Sequence, residues 1–169
     1  QPSVVYASPS IETLHAQYEG RAQGYTYARE GHPNATLLAQ KIDMLEGAEG
    51  GLITGSGMSA VTAAIMGLLG AGDHIIGADQ LYGRSLRLMH QDLARFGIAT
   101  TVVDPTDPAA LRAAIRPETK MILIEVVSNP TLRIADMAGI LAVAKEAGVR
   151  VAVDNTFTTP MAYRPFDHG

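Results

Sequence analysis

Met121-Ile122-Leu123-Ile124-Glu125-Val126-Val127-Ser128-Asn129-Pro130 decides the fold. Its first four residues are all apolar, without the polar alternation of a strand that has one wet face. Such a run reads as a strand buried on both sides, the mark of a parallel sheet between helices. Working outward, the spacing predicts further strands at Gly51–Thr54, His74–Ala78, Ala99–Val103 and Val149–Asp154, besides Met121–Val126 itself. Helical patterns fall between them at Met58–Leu69, Gly83–Phe96, Pro108–Ile115 and Met137–Ala147. Gly70, Gly97 and Gly148 stand where helix C-caps belong. Strands and helices alternating in this way make an α/β fold, a mostly parallel sheet with helices on both faces.

The first 49 residues behave differently. Tyr6 to Gly31 is polar and rich in Gly and Tyr; a helix from about Asn34 to Leu45 follows, with Leu37, Leu38, Ile42 and Leu45 in one stripe. An irregular arm ahead of a doubly wound domain suits a surface meant for another subunit. Residues 1–49 are therefore read as an arm and helix for inter-subunit contact, and 50–169 as the first part of a large domain.

Composition narrows the function classes. The chain has 169 residues, a net charge of −4 and no cysteine. No Lys/Arg run offers a footprint for nucleic acid or an anionic membrane. Without cysteine, disulfides and thiolate metal sites are excluded, and the scattered His15, His32, His74, His90 and His168 do not suggest a metal site. No signal peptide is visible. The longest apolar stretch, around Ala60 to Ala71, is too short and Gly-rich to span a bilayer. The cytoplasm is the expected location. A start on Gln1 and an end on His168-Gly169 read as a piece of a longer protein.

Leu52-Ile53-Thr54 reads as a strand, Gly55-Ser56-Gly57 as a tight loop and Met58 as the beginning of a helix. Unpaired amides at the positive end of a helix dipole make an anion site, and Ser56 can add a donor. Alternatively, Ser56 only caps the helix. A rival is the dinucleotide fingerprint: Gly55-Ser56-Gly57-Met58-Ser59-Ala60 fits G-x-G-x-x-A, and Asp79 falls near the place of a ribose-binding acid.

Ligands of open α/β sheets sit at the carboxyl ends of the strands. Three polar clusters collect there: Asp79 with Tyr82-Gly83, Glu125 with Ser128-Asn129-Pro130, and Asp154-Asn155-Thr156. Singly, each reads as a turn former, a cap or a packing ring. Together, beside an anion-binding helix, they suit a phosphorylated pyridine. Asp154 would then face the ring nitrogen, Asn129 the ring hydroxyl oxygen and Tyr82 the ring face.

These residues resemble the Cys/Met-metabolism pyridoxal-phosphate (PLP) enzymes. The resemblance runs from about Tyr25 to Gly169. It rests on Tyr27-Ala28-Arg29, Leu45-Glu46-Gly47, Ser56-Gly57-Met58-Ser59-Ala60, Asp79-Gln80-Leu81-Tyr82-Gly83, Glu125 with Ser128-Asn129-Pro130-Thr131-Leu132, and Asp154-Asn155-Thr156-Phe157. It implies a fold-type-I PLP-dependent enzyme, with 50–169 the first part of the PLP-binding large domain, incomplete at its C-terminus. Gly57 and Met58, with Ser56 beside them, are implied to hold the phosphate. Tyr82 stacks on the ring and is the catalytic proton-transfer candidate. Asn129 and Asp154 hold ring oxygen and ring nitrogen, with Glu125 and Thr156 in support. Tyr27 and Arg29 reach the phosphate of a neighbouring subunit's cofactor, which implies a homodimer, usually paired into a homotetramer. Departures are Ala28 where Ser is common, Val126-Val127 before Ser128, and the bulky Arg84 after Gly83.

Such an enzyme needs a Schiff-base lysine. Lys41, Lys120 and Lys145 all read as surface charges, so the expected lysine lies beyond Gly169 and this segment alone is expected to be inactive. The implied activity is γ-elimination or γ-replacement on cystathionine, methionine or an O-acylhomoserine. The alternatives are a β-lyase of the same family, a nicotinamide-dependent dehydrogenase, and a catalytically silent assembly partner.

Overall fold

Ser10 and Pro33 open the two helices that precede Ile53. In the computed structural model, which describes residues 3–169, the chain divides into two units, the first ending at Ile53 and the second spanning Thr54–Gly169. The boundary thus falls a few residues after the expected one. In the first unit, α1 (Ile11–Tyr18) is capped by the Ser10 hydroxyl, which accepts from Thr13 N–H at 3.1 Å. Helix α2 (Pro33–Glu46) starts with proline, whose missing N–H costs nothing at that position, and ends at Gly47 in the left-handed region (φ 71°). The predicted stripe forms, but Leu37, Leu38, Ile42 and Leu45 stay exposed. Upstream, Val5 pairs with Tyr27, and the Arg29 guanidinium lies 4.8 Å over the Tyr27 ring.

The predicted strand Gly51–Thr54 does not form. A strand needs a ladder partner for its backbone groups, and among the described residues, residues 51–54 pair with none. The Gly51 N–H goes instead to the Asp43 carboxylate, and Leu52 is exposed.

In the second unit, β1 (His74–Ala78), β2 (Ala99–Val103), β3 (Thr119–Glu125) and β4 (Arg150–Asp154) form one parallel sheet in the order β2-β1-β3-β4. Two strands match their predicted limits. β3 starts earlier than predicted, and β4 starts later because the Val149 N–H closes the preceding helix on Ala144 C=O. The register brings Ile122 beside Ile76 and Val151, and Glu125 beside Asp154.

The helices are α3 (Gly57–Leu68), α4 (Gly83–Arg87), α5 (Pro108–Ala114), α6 (Met137–Ala147) and α7 (Thr159–Ala162). The predicted helix Gly83–Phe96 is α4 continued by a π turn at Leu88–Asp92 and a 3₁₀ turn at Leu93–Phe96. Gly97 and Gly148 cap in the left-handed region as expected. Gly70 does not: α3 ends in extended Leu69, Gly70 N–H donates to Asp73, and Gly72 takes the positive φ. Crossovers in a parallel sheet are right-handed. The β1-to-β2 connection therefore lies on one face of the sheet, and the oppositely running connections through α5 and α6 lie on the other. α5 packs on α6, and α3 meets α4. Between these layers Ile65, Ile75, Ile76, Met89, Leu93, Leu111, Met121, Ile122, Ile124 and Ile140 are fully buried.

His74, read from sequence as one scattered histidine, is buried at the start of β1. Its Nδ1 meets Thr119 Oγ1 at 2.8 Å and its Nε2 meets Thr101 Oγ1 at 2.9 Å, so one ring joins three strands. Burial holds its pKa below the ordinary histidine value, the nearby Arg116 adds to this, and Glu118 opposes. The native state therefore binds its proton less readily than the unfolded chain. The resulting stability is present above the unfolded histidine range, about pH 6.5, and is lost as pH falls below it. Thermal unfolding followed from pH 8 to pH 5 should show this decline, and it should flatten in His74→Gln.

Candidate active site

The strand order reverses between β1 and β3, and a cleft opens at their carboxyl ends, where α/β sheets bind ligands. A cavity of about 340 Å³ lies there. It is lined by Ser56, Gly57 and Met58, by Tyr82 after β1, by Glu125 and Asn129 at the end of β3, and by Asp154 and Thr156 at the end of β4. Each of the three strand-end clusters therefore sends at least one residue to one space, although Asp79, Ser128 and Asn155 are not in its lining. Tyr27 and Arg29 belong to the first unit and stand beside each other there.

The amide pole is the start of α3. Ser56 caps the helix: its Oγ accepts from Ser59 N–H at 3.1 Å. Ser56 thus caps the helix and lines the cavity as well. It leaves the Gly57 and Met58 amides at the positive end of the helix dipole, where no intrahelical acceptor exists for them. Asp154 continues β4 into a turn. Its Oδ1 accepts from Thr156 N–H at 3.1 Å and from Thr156 Oγ1 at 2.5 Å. Thr156 thereby fixes the carboxylate.

Glu125 is buried, and its carboxylate is shared between two loops. Oε1 accepts from Tyr82 N–H at 2.6 Å, and Oε2 accepts from Asn129 N–H at 3.1 Å. Burial pushes its pKa above the ordinary glutamate value, the two amides pull it back, and the charge of Asp154 pushes it up further. The loop after β3 folds back as a small hairpin. Val127 pairs with Ile134, Ser128 N–H donates to Arg133 C=O, and Ser128 Oγ accepts from Arg133 N–H. The Arg133 guanidinium ties that hairpin to Asp104 after β2 and lies 3.8 Å from Asp79 after β1.

Sequence reasoning missed Val61, Val127 and Phe157, which give the cavity apolar walls. Val61 follows Gly57 by one helical turn, a signal that was available. It also missed Arg133, whose side-chain partners are 27 residues away or more and leave no local trace.

The donor set has an amide pole for an oxyanion, a carboxylate for a protonated ring nitrogen, an aromatic ring and a carboxamide. The residues present fit pyridoxal phosphate. They do not fit the dehydrogenase reading, since Asp79 is engaged by Arg133 rather than standing ready for a ribose. Among the described residues no group of acidic or histidine side chains could hold a metal ion, and no helix is long and apolar enough to cross a membrane.

Comparison with known proteins agrees with this chemistry. The family model described as Cys/Met metabolism PLP-dependent enzyme matches residues 2–169. An L-methionine gamma-lyase of Porphyromonas gingivalis is 40% identical over 90% of the chain, and a cystathionine beta-lyase of Bacillus subtilis is 41% identical over 93%. The crystal structure of a putative O-acetylhomoserine (thiol)-lyase of Campylobacter jejuni, which carries a pyridoxyl-lysine monophosphate, superposes with a TM-score of 0.94 at 31% identity over 99% of the chain. The chain spans 39%, 40% and 41% of these three proteins, respectively. It belongs to the Cys/Met metabolism PLP-dependent enzyme family.

Proposed function

We propose that this chain supplies the PLP cradle of an enzyme that eliminates or replaces the γ-substituent of cystathionine, methionine or an O-acylhomoserine. One observation carries the reading: the start of α3 and the carboxylate of Asp154 line the same cavity. PLP, when bound, supplies an electron sink for a substrate carbanion. Gly57 and Met58 amides hold its phosphate. Asp154, kept in place by Thr156, holds a proton on the ring nitrogen. Asn129 donates to the ring oxygen. Tyr82 covers the ring face and passes a proton toward the departing γ-substituent, a sulfur in cystathionine or methionine.

Residues 1–49 form the contact to a second copy, in a homodimer or homotetramer where Tyr27 and Arg29 reach the neighbour's phosphate. Residues 50–169 form the first part of the PLP-binding domain. The enzyme is cytoplasmic. The essential lysine comes from outside Gln1–Gly169: Lys41 lies on α2, Lys120 on β3 and Lys145 on α6, and none of them lines the cavity. The segment alone is accordingly inactive. A β-lyase is the second reading, supported by the Bacillus subtilis relative.

Gly57→Pro tests the phosphate pole. Gly57 is the first residue of α3, where proline is compatible with the helix, so the change deletes one proposed phosphate donor with little other damage. A hydrogen bond to a charged group is worth about 1.5–3 kcal/mol. PLP titration followed by absorbance should show affinity lowered about tenfold or more, with the melting temperature nearly unchanged. Unaltered affinity would remove Gly57 from the site.

A further inference from the structure

The Tyr82 loop and the Asn129 loop leave different strands, and nothing in either loop's own sequence sets their separation. Both are tied to one side chain at the residues that face the cavity; elsewhere the Thr131 hydroxyl donates to Gln80 Oε1 and Arg133 faces Asp79 across the same two loops. Glu125 sits at the last position of β3, paired in register with Asp154. Each of its oxygens takes one backbone N–H, Tyr82 on Oε1 and Asn129 on Oε2. We propose that Glu125 is a positioning residue whose single carboxylate locks the loop after β1 to the loop after β3, and so sets the spacing between the phenol and the carboxamide that face the cofactor ring.

The geometry favours this over a direct contact with the cofactor. Glu125 is 7% exposed although its residue borders the cavity, and its two oxygens are already engaged by amides. A carboxylate is also the only common side chain that offers two acceptor oxygens in one plane and no donor. Glutamine in its place would turn an N–H₂ toward one of the two N–H groups, so one loop would lose its anchor. Aspartate would keep both acceptors but withdraw them by one methylene.

The inference rests on the PLP reading, and the test separates the two. PLP affinity and the circular dichroism of the bound cofactor are measured on the full-length protein, its Glu125→Gln and Glu125→Asp variants, Asn129→Ala, and the double variant Glu125→Gln/Asn129→Ala. Backbone amide exchange of peptides covering Tyr82 and Asn129 is followed in the cofactor-free forms. Glu125→Gln should weaken PLP about 10- to 100-fold, by analogy with the loss seen when an outer hydrogen-bonding support is removed from a metal site. It should also change the cofactor's dichroic band and speed exchange at both loops. In the double variant its effect should shrink to a small factor, because one of the two groups it positions is already gone. If Glu125→Gln does not fold, the same comparisons on Glu125→Asp decide. Unchanged affinity and dichroism, or a full multiplicative loss in the double variant, would overturn the positioning role while leaving the PLP reading intact. Failure of the unaltered protein to bind PLP would instead overturn the reading of the site.

Discussion

Asp154→Asn is expected to lower kcat for the proposed reaction about 10²- to 10³-fold in the full-length protein, the size of effect seen when one preorganised hydrogen-bonding group is taken from an active site. Asparagine keeps the size of the side chain and an oxygen to accept from Thr156 N–H and Oγ1, so the turn at the end of β4 should survive. What it loses is the negative charge proposed to hold a proton on the ring nitrogen. The change should therefore fall on turnover more than on KM. Steady-state kinetics with matched thermal melts checks it; a variant that folds and turns over normally would leave Asp154 without the role assigned here.

The second large effect concerns the sheet. Ile122 is fully buried in β3, with Ile76 on one side and Val151 on the other. Ile122→Ala removes apolar contact from a layer closed by helices on both faces, where collapse around the gap is restricted. A loss of about 2–5 kcal/mol is expected, a large part of the 5–15 kcal/mol that typically holds a domain folded. Denaturant unfolding should show a lower midpoint with little change in slope. The same strand ends in Glu125, so loosening it should also weaken PLP binding; a variant of unchanged stability would mean the sheet is not the core it is described as.

The central strands were legible because burial on both faces leaves a plain mark: Met121–Ile124 carries no polar alternation. The glycine caps at Gly97 and Gly148 were legible for a local reason, since the left-handed region strongly favours glycine. Gly51–Thr54 misled because a run with strand-like composition becomes a strand only when another strand pairs with it, and that condition is not local. Gly70 misled because the Asp73 carboxylate took its N–H and moved the positive φ to Gly72.

Site residues followed the same division. Ser56, Gly57, Tyr82, Asn129 and Asp154 could be picked out because they sit at strand ends and a helix start, positions that the alternation of elements fixes in advance. Glu125 and Thr156 were legible only as supports, by resemblance, and the groups they hold were not. Glu125 reaches amides 43 residues upstream and 4 residues downstream, and only the folded sheet brings them together. Thr156 serves Asp154, two residues away, through a turn whose shape the sequence does not dictate. Arg133 and His74 were missed outright, since each works by joining separate strands or loops.

The most direct measurement is a crystal structure of the full-length protein grown with PLP. The account predicts the phosphate on the Gly57 and Met58 amides and the ring nitrogen on the Asp154 carboxylate, each at charge-assisted hydrogen-bond distances of about 2.7–2.9 Å. A phosphate bound away from α3, or a ring nitrogen turned away from Asp154, would contradict it.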